Sequence, residues 1–365
     1  MSDVIISGYH GFANSGDEAL LFAILSTLRK KKPDISFTVL SKVPSETSRV
    51  YGVKSVNRYN FFKIRKEMKE AKMLLFGGGS LLQDVTSSKS IKYYLAIIRL
   101  AQLCGIKTML YANGIGPIVK KGDRRLASKV LNKVDVITLR DDKSDIELKN
   151  LGVTRPEIII TADPAFTLDT DLDLSGEYYK KMAGFPDKAK LAVVSVRDWK
   201  NSVIDFDDTL AKLCDFLVEN HGIYPLFVPM QYPQDTEISE RIMKKMKNAG
   251  YMINRELTVP EMFAVLSEAE LIIGMRLHSL IYATTLEIPA MALVYDPKVS
   301  AFMESIGQVD CVNVETMTEQ EALKELDSLV KYRQERRHML RKTNAVLRKK
   351  AEENADFAIN LLQEN

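Results

Sequence analysis

The sequence alternates short, continuous apolar runs with amphipathic segments, and this rhythm limits the possible folds more than any other feature. A strand that is apolar at consecutive positions indicates a sheet buried on both faces, and intervening helices join such strands in parallel. In the first half we predict strands at 4–8, 37–40, 73–76, 108–112, 136–139 and 158–161. Helices are predicted between them at 18–31, 92–104, 124–132 and 143–150. This pattern indicates a doubly wound α/β domain.

The same rhythm begins again after a polar interruption. Residues 169–190 are rich in Asp, Gly and Lys, and we assign them to an interdomain connection. Beyond them we predict strands at 191–196, 224–228, 271–273 and 290–294, and helices at 207–219, 237–248, 260–266, 279–286 and 319–331. A chain of 365 residues is too long for one typical domain. We therefore predict two Rossmann-like α/β domains facing a central cleft, an N-terminal one at 1–168 and a C-terminal one at 191–335.

The last segment, 336–365, combines helical apolar spacing with many basic residues. We predict an amphipathic basic helix that packs back across the domains. Two compatible interpretations of its charge stay open. The basic residues form a solvated face, or they lie against anionic phospholipid or a lipid-linked diphosphate.

Composition excludes several classes of protein. The formal net charge of +3 gives no argument for nucleic acid as a partner. The three cysteines are scattered, which argues against a disulfide framework or a zinc site and suits a reducing compartment, and the apolar helical patterns around Cys104 and Cys214 predict buried thiols there. We recognise no signal peptide and no apolar stretch of the ~20 residues that a membrane span needs. We expect a cytoplasmic protein without a metal.

The first strand-to-helix turn, residues 8–18, is polar and glycine-rich. Its glycines do not follow the G-x-G-x-x-G spacing of dinucleotide-binding turns, so NAD binding loses support. Doubly wound sheets bind ligands beyond the carboxyl ends of their strands. We therefore predict that Asn14, Asp17 and Glu18 face a substrate, although Asn14 and Asp17 are also good helix caps.

A second glycine-rich turn, Gly77-Gly78-Gly79-Ser80, follows the third predicted strand. Successive backbone N–H groups in such a turn suit anions or sugar hydroxyls. No Gly-Lys-Ser follows, so the turn is not a Walker loop. We favour a ligand here over a close strand–helix crossing. For the next turn, 113–117, a ligand loop and a structural turn stand about even.

In the second half, cations follow three predicted strands. Arg197 ends the strand at 191–196, Lys298 comes after 290–294, and Arg276 lies with His278 where a helix begins. Guanidinium groups bind carboxylates and phosphates through two parallel hydrogen bonds, and helix N-termini favour anions. The sequence therefore predicts a site for a small, highly charged donor beside one titratable imidazole.

Four motifs, in this order, resemble the polysaccharide pyruvyl transferase family. They are Asn14-Ser15-Gly16-Asp17-Glu18, Gly77-Gly78-Gly79-Ser80, Asn113-Gly114-Ile115-Gly116-Pro117 and Arg276-Leu277-His278. The strongest likeness is to the CsaB-type enzymes of Gram-positive bacteria. The resemblance covers nearly the whole chain and implies a GT-B-like fold.

The resemblance also implies a reaction. Phosphoenolpyruvate would be the co-substrate, with no further cofactor, and a lipid-linked cell-wall disaccharide containing N-acetylmannosamine would be the acceptor. The product would be a 4,6-O-pyruvyl ketal of the secondary cell wall polysaccharide, to which S-layer proteins anchor. An enzyme with this acceptor would work at the inner face of the cell membrane.

The resemblance implies a role for each candidate residue. His278 and Arg276 would be catalytic, and Arg197, Arg276 and Lys298 would bind the donor. The acceptor would contact Asn14, Asp17, Glu18, Gly78, Gly79 and Ser80. Two alternatives stay open, a nucleotide-sugar-dependent glycosyltransferase and a non-catalytic sugar-binding protein. The oligomeric state stays open as well.

Overall fold

The computed structural model describes residues 2–85, 87–170, 174–199, 202 and 204–364. The chain forms two compact units. The first contains Met1–Leu168 together with Leu347–Asn365, and the second contains Asp169–Val346. Each unit is an α/β body built on one parallel sheet.

The sheet of the first unit has seven parallel strands in the order β3-β2-β1-β4-β5-β6-β7. Their bounds are Val4–His10 (β1), Phe37–Ser41 (β2), Lys54–Asn57 (β3), Met73–Gly77 (β4), Lys107–Asn113 (β5), Val136–Leu139 (β6) and Glu157–Ile160 (β7). Because chain order reverses direction between β1 and β4, a crevice opens between the carboxyl ends of these two strands.

Helices cover both faces of this sheet. Successive strand residues point to opposite sides, so strands that are apolar at consecutive positions need cover on both faces. Ile5 of β1 belongs to the core beneath α3 (Phe61–Glu70), α4 (Ser88–Cys104), α5 (Lys121–Leu131) and α6 (Asp142–Asn150). Val4 and Ile6 belong to the opposite core, beneath α1 (Ser15–Lys31) and the last part of α14 (Arg333–Gln363). Helix α2 (Pro44–Tyr51) joins β2 to β3.

The second unit repeats this design with six parallel strands in the order β10-β9-β8-β11-β12-β13. The strands are Lys190–Ser195 (β8), Ile223–Phe227 (β9), Tyr251–Met252 (β10), Ala269–Gly274 (β11), Ala290–Val294 (β12) and Cys311–Asn313 (β13). The helices are Gly176–Met182 (α7), Phe206–His221 (α8), Thr236–Lys245 (α9), Val259–Leu266 (α10), Leu277–Thr285 (α11), Pro297–Ser305 (α12) and Glu319–Lys331 (α13). Here the order reverses between β8 and β11.

The strands that the apolar pattern did not predict are β3, β10 and β13. All three lie at an edge of their sheet and are only partly buried. An edge strand needs fewer apolar residues because one side of it has no strand neighbour. The interior strands of both sheets are those that their continuous apolar runs predicted.

The segment 169–190 contains more structure than a connection requires. Helix α7 lies within it and packs on α10 so closely that a Cβ on Gly176 would come within 2.1 Å of the Ala264 carbonyl oxygen. Tyr179 is buried, and Lys180 forms an ion pair with Glu268. These contacts make α7 part of the second unit. Residues 171–173 of the segment lie outside the described residues.

Helix α14 begins at Arg333, three residues before the predicted start, and several of its basic residues have carboxylate partners. Arg336 binds both oxygens of the buried Asp310, at 2.8 and 3.1 Å. Arg341 binds Glu287 at 2.9 Å, and Arg333 binds Glu270 at 3.2 Å. These pairs favour the interpretation that the basic residues of α14 form a solvated face of the protein rather than a lipid contact. Across the described part of the chain, no helix is both long and apolar enough to cross a membrane.

Asn354 ties the end of α14 to the first unit. Its side-chain oxygen accepts from the Thr161 hydroxyl at 2.8 Å, and its amide donates to the Ala162 carbonyl at 3.2 Å. We expect Asn354→Leu to lower the free energy of unfolding by about 1–3 kcal/mol, because buried polar partners lose their hydrogen bonds. Urea denaturation followed by circular dichroism measures the change. The same substitution at the exposed Asn360 of α14 is the control, and an equal loss there would contradict this role.

Candidate functional site

The crevice between β1 and β4 is bordered by the two glycine-rich turns of the first unit. In the first of them, Gly11 has a φ of 77°, and a Cβ there would lie 2.4 Å from the Ser41 hydroxyl oxygen. Asn14 then caps α1, since its Oδ1 accepts from the N–H groups of Gly16 (3.1 Å) and Asp17 (3.3 Å). The Asn14 side-chain oxygen is therefore engaged in the helix cap.

The carboxylate of Glu18 closes the same turn. One oxygen accepts from the Gly11 N–H at 2.8 Å and the other accepts from the Tyr51 hydroxyl at 2.5 Å. Burial raises the pKa of Glu18, against the effect of these two hydrogen bonds. With both oxygens engaged, Glu18 holds the turn in place.

Asp17 has a different environment. Its Oδ1 lies 3.4 Å from the position that a Cβ on Gly79 would occupy, so the carboxyl group faces the second glycine turn. Burial and then the charge of Glu18 raise the pKa of Asp17 to about 7, and the positive charge of Arg140 offsets this only in part. A carboxyl group with this pKa exchanges protons near neutral pH, as a general acid or base must.

The second glycine turn is packed tightly against α1. Gly78 has a φ of 67°, and a Cβ there would come within 2.7 Å of the Leu20 side chain. Its N–H donates to the Tyr111 carbonyl at 2.9 Å, and its carbonyl accepts from the Asn113 amide at 3.0 Å. The Gly78 N–H is therefore unavailable to an anion, and the close strand–helix crossing explains this glycine.

Ser80 accepts a hydrogen bond from Arg140, a residue that was not among the predicted site residues. Arg140 follows β6, donates to the Ser80 hydroxyl at 2.7 Å and pairs with the buried Asp163 at 3.1 Å. A Cβ on Gly114 would lie 2.4 Å from the Ser80 hydroxyl oxygen and 3.1 Å from Arg140. Of the two glycines in the 113–117 turn, Gly114 is thus required for this contact. The strand-end argument applied to β6 would have identified Arg140.

A second overlooked arginine, Arg58, lies after the unpredicted edge strand β3. It is only 4% exposed and donates to the Gly8 carbonyl at 3.1 Å. Its guanidinium carbon lies 4.6 Å from the ring centroid of Tyr93 and 5.2 Å from that of Phe12. Aromatic faces stabilise a buried cation.

His10, at the end of β1, is fully buried. Burial, and next the charge of Arg58, lower the pKa of His10 to about 3. The imidazole is therefore neutral at physiological pH and does not serve as a proton donor there.

In the second unit, the crevice between β8 and β11 is bordered by the predicted donor residues. Arg276 lies at the N-terminus of α11 and binds both oxygens of Asp235, at 2.6 and 2.7 Å. Its Nη2 also donates to Gln231 at 3.1 Å. Asp235 is buried, so this pair fixes the orientation of the guanidinium group and neutralises its charge.

Arg197 and Lys298 approach one tyrosine ring. The Arg197 guanidinium lies 5.1 Å from the centroid of the Tyr295 ring, the Lys298 ammonium lies 5.9 Å from it, and the Trp199 ring lies 5.4 Å from it. Lys298 also pairs loosely with Asp296 at 3.5 Å, whereas Arg197 forms no ion pair with any described carboxylate.

His278 lies in the first turn of α11, half-buried, with its ring 6.1 Å from that of Tyr282. The candidate donor residues follow β8, β11 and β12. These strands are neighbours, and adjacent strands lie about 5 Å apart, so the residues lie together at the carboxyl ends of the three strands. Among the described residues, no group of three His, Cys, Asp or Glu side chains could hold a metal ion.

The sequence matches one protein family over most of its length. Residues 14–297 match the profile of the polysaccharide pyruvyl transferase family. The amylovoran biosynthesis protein AmsJ of Erwinia amylovora is 21% identical in an alignment 356 residues long, which covers 83% of this chain and 86% of AmsJ.

Solved structures share the fold at low identity. A putative UDP-N-acetylglucosamine 2-epimerase from Listeria monocytogenes matches with a TM-score of 0.70 and 11% identity, over 100% of this chain and 97% of its own. MnaA of S. aureus bound to UDP matches with a TM-score of 0.67 and 11% identity, over 100% of this chain and 96% of its own. Anabaena HepE with UDP and glucose matches with a TM-score of 0.64 and 9% identity, over 100% of both chains. The predicted GT-B-like α/β fold is confirmed, and identities this low establish only the fold.

The raised pKa of Asp17 predicts how stability depends on pH. Between the ordinary pKa of an aspartate, 3.8, and a pH of about 7, the folded chain binds more protons at Asp17 than the unfolded chain, so this carboxyl group makes stability fall as pH rises. Asp17→Asn removes that dependence. We expect its Tm relative to wild type to be higher at pH 8 than at pH 4.5 by several degrees.

Thermal unfolding at both pH values measures this difference. Asp187→Asn makes the same change at an exposed position of the second unit and should show no such pH dependence. Equal Tm differences at pH 4.5 and pH 8 for Asp17→Asn would mean that its pKa is not raised.

Proposed function

Because the chain belongs to the polysaccharide pyruvyl transferase family, we propose that this transferase moves the pyruvyl group of phosphoenolpyruvate onto a saccharide and releases phosphate. The family match supports pyruvyl transfer in polysaccharide biosynthesis. Our finer proposal is that the acceptor is a lipid-linked cell-wall disaccharide whose N-acetylmannosamine residue receives a 4,6-O-pyruvyl ketal. The observation that carries the donor assignment is the set of cations at the carboxyl edge of the second sheet.

Phosphoenolpyruvate carries a carboxylate and a phosphate, and the second unit offers groups for both. Arg197 has no carboxylate partner among the described residues, so an anion would neutralise it. Arg276 is held rigidly by Asp235 and keeps its Nη1 N–H groups for a ligand. Lys298 supplies an exposed charge beside the Tyr295 ring. A fixed guanidinium orients the donor, and the less constrained cations complete its charge balance.

Ketal formation begins with protonation of the methylene carbon of the enol. In our proposal His278, as the imidazolium, gives its proton to this carbon and makes the adjacent carbon electrophilic. A sugar hydroxyl attacks that carbon, and the bond to the phosphate oxygen then breaks. A second hydroxyl closes the ring. Of the two hydroxyl protons released, one restores His278, and the other is taken by a carboxylate base that later gives it up to the departing phosphate or to water.

Asp17 is our candidate for the group that accepts a hydroxyl proton. Its pKa of about 7 suits a base at neutral pH, and its carboxyl group faces Gly79. Both oxygens of Glu18 are already engaged by Gly11 and Tyr51. In the same turn the rings of Tyr9 and Phe12 stack on each other with their centroids 3.9 Å apart, which helps to hold the turn that carries Asp17.

Phosphate release from phosphoenolpyruvate tests the reaction directly. Release should depend on a synthetic disaccharide of N-acetylmannosamine and N-acetylglucosamine, and mass spectrometry should detect the pyruvylated product. No release from folded protein with either soluble or lipid-linked acceptor would reject the proposal. Thermal protection by UDP, with none by phosphoenolpyruvate, would then point to the nucleotide-sugar glycosyltransferase.

We expect His278→Ala to lower kcat at least about a hundredfold, because general acid catalysis contributes 10²–10⁴-fold. Steady-state phosphate release measures kcat. His338→Ala, an exposed histidine on α14, is the matched control and should leave kcat unchanged. A loss for His278→Ala of less than tenfold would contradict the general-acid role.

The two adjacent carboxylates should differ in effect. We expect Asp17→Asn to lower kcat at least about a hundredfold with its fold intact, since it removes the proton acceptor. Glu18→Gln keeps the shape of the side chain. We expect its main effect to be a lower Tm, with kcat little changed. The reverse pattern, a large loss of kcat only in Glu18→Gln, would assign the base to Glu18.

A further inference from the structure

Three neighbouring helices give the first unit a strongly basic outer surface. Helices α3, α4 and α5 cover the same face of the sheet, and we call their outer surface the basic face. Together they carry eleven Lys or Arg residues and three Asp or Glu residues, in a chain whose formal net charge is only +3. The positive charge of the protein is therefore concentrated on this face.

Acidic residues do little to neutralise the basic face. Two of the three acids, Glu67 and Asp123, are buried, and they pair with Lys54 and Lys92. The cations of α3 are exposed, and none of them forms an ion pair with a described carboxylate; they are Lys63, Arg65, Lys66 and Lys69. Charges left unpaired in this way attract a large anionic surface.

Large apolar side chains are exposed among these cations. Phe62, in the first turn of α3, is 93% exposed, and its neighbour Phe61 is 44% exposed. Leu103, at the end of α4, is 67% exposed. Exposed aromatic residues beside basic ones are typical of surfaces that lie in the headgroup region of a membrane.

The edge of the basic face also contains a depression suited to anionic groups. It has a volume of about 450 Å³ and lies beside α5. Its lining includes five cations, of which Arg124 also pairs with Glu147 at 3.0 Å; the cations are Arg124, Arg125, Lys129, Lys133 and Arg155. A phosphate-bearing headgroup matches the charge of this lining.

We infer that the basic face docks on an anionic phospholipid bilayer, with Phe61 and Phe62 entering the headgroup region. A double-stranded nucleic acid, whose bases are already stacked on one another, would match the cations but would leave Phe62 and Leu103 in water, so the apolar side chains decide for lipid. Helix α14 is the weaker candidate, since Arg333, Arg336 and Arg341 already have carboxylate partners. The inference rests on the proposed function only for its purpose, which is to bring the first unit to a lipid-linked acceptor.

Flotation with vesicles tests the inference without any substrate, so its outcome is independent of the reaction. The full chain should bind vesicles of phosphatidylcholine with phosphatidylglycerol, and binding should weaken in high salt and be absent with phosphatidylcholine alone. We expect the double variant Lys63→Glu/Lys66→Glu to lower the partition coefficient at least about tenfold. Arg125→Glu/Lys129→Glu on α5 should act in the same direction.

Each variant has a matched control. Lys349→Glu/Lys350→Glu makes the same charge change on exposed residues of α14 and should leave vesicle binding unchanged. Phe62→Ser should lower binding about fivefold, whereas Val309→Ser, which removes an exposed apolar side chain from the second unit, should not. Circular dichroism and Tm establish that every variant is folded.

Three results would overturn the inference. The first is equal binding to neutral and anionic vesicles, or binding to neither. The second is loss of binding only in the α14 variant, which would move the contact to that helix. The third is binding to a mixed-sequence DNA duplex under salt conditions where vesicles are not bound. Phosphate release with a soluble acceptor should stay normal in Lys63→Glu/Lys66→Glu, which separates docking from catalysis.

Discussion

The burial of both faces of each parallel sheet is the constraint on which the rest of this structure depends. Helices occupy both faces of the first sheet, so its strand interiors are apolar and polar chemistry is confined to strand ends and loops. In both units the strand order reverses once, between β1 and β4 and between β8 and β11. The two reversals open crevices at carboxyl ends, and the glycine turns and the cations border them for this reason.

Within those crevices, charge compensation distinguishes residues that hold the structure from residues that are available to a ligand. Arg140 is paired with Asp163, and Arg58 is surrounded by aromatic rings. Glu18 is engaged on both oxygens, whereas Asp17 faces Gly79 with a pKa near neutrality. In the second unit Arg276 is fixed by its carboxylate, and the guanidinium of Arg197 approaches only a ring among the described groups. The available groups are thus one carboxyl group and a set of cations.

The predictions made from sequence succeeded where a local pattern carries the signal. Continuous apolar runs predicted the interior strands of both sheets. Polar edge strands such as β3 were not predicted, because they bury few side chains. Missing β3 also meant missing Arg58 behind it. The glycine turns were located correctly, but Gly78 serves helix packing, and its N–H is bound to Tyr111. The proposed roles of His278, Arg197 and Lys298 remain predictions.

The sequence by itself determined the two parallel α/β units, the strand ends that carry polar residues and the family to which the chain belongs. These follow from periodicity and from motifs that are contiguous in the chain. Only the tertiary structure decided which charges are neutralised, because Arg276 meets Asp235 across 41 residues and Arg336 meets Asp310 across 26. It also decided that positive charge gathers on α3, α4 and α5, since these successive helices come to lie side by side on one face only when the sheet orders them.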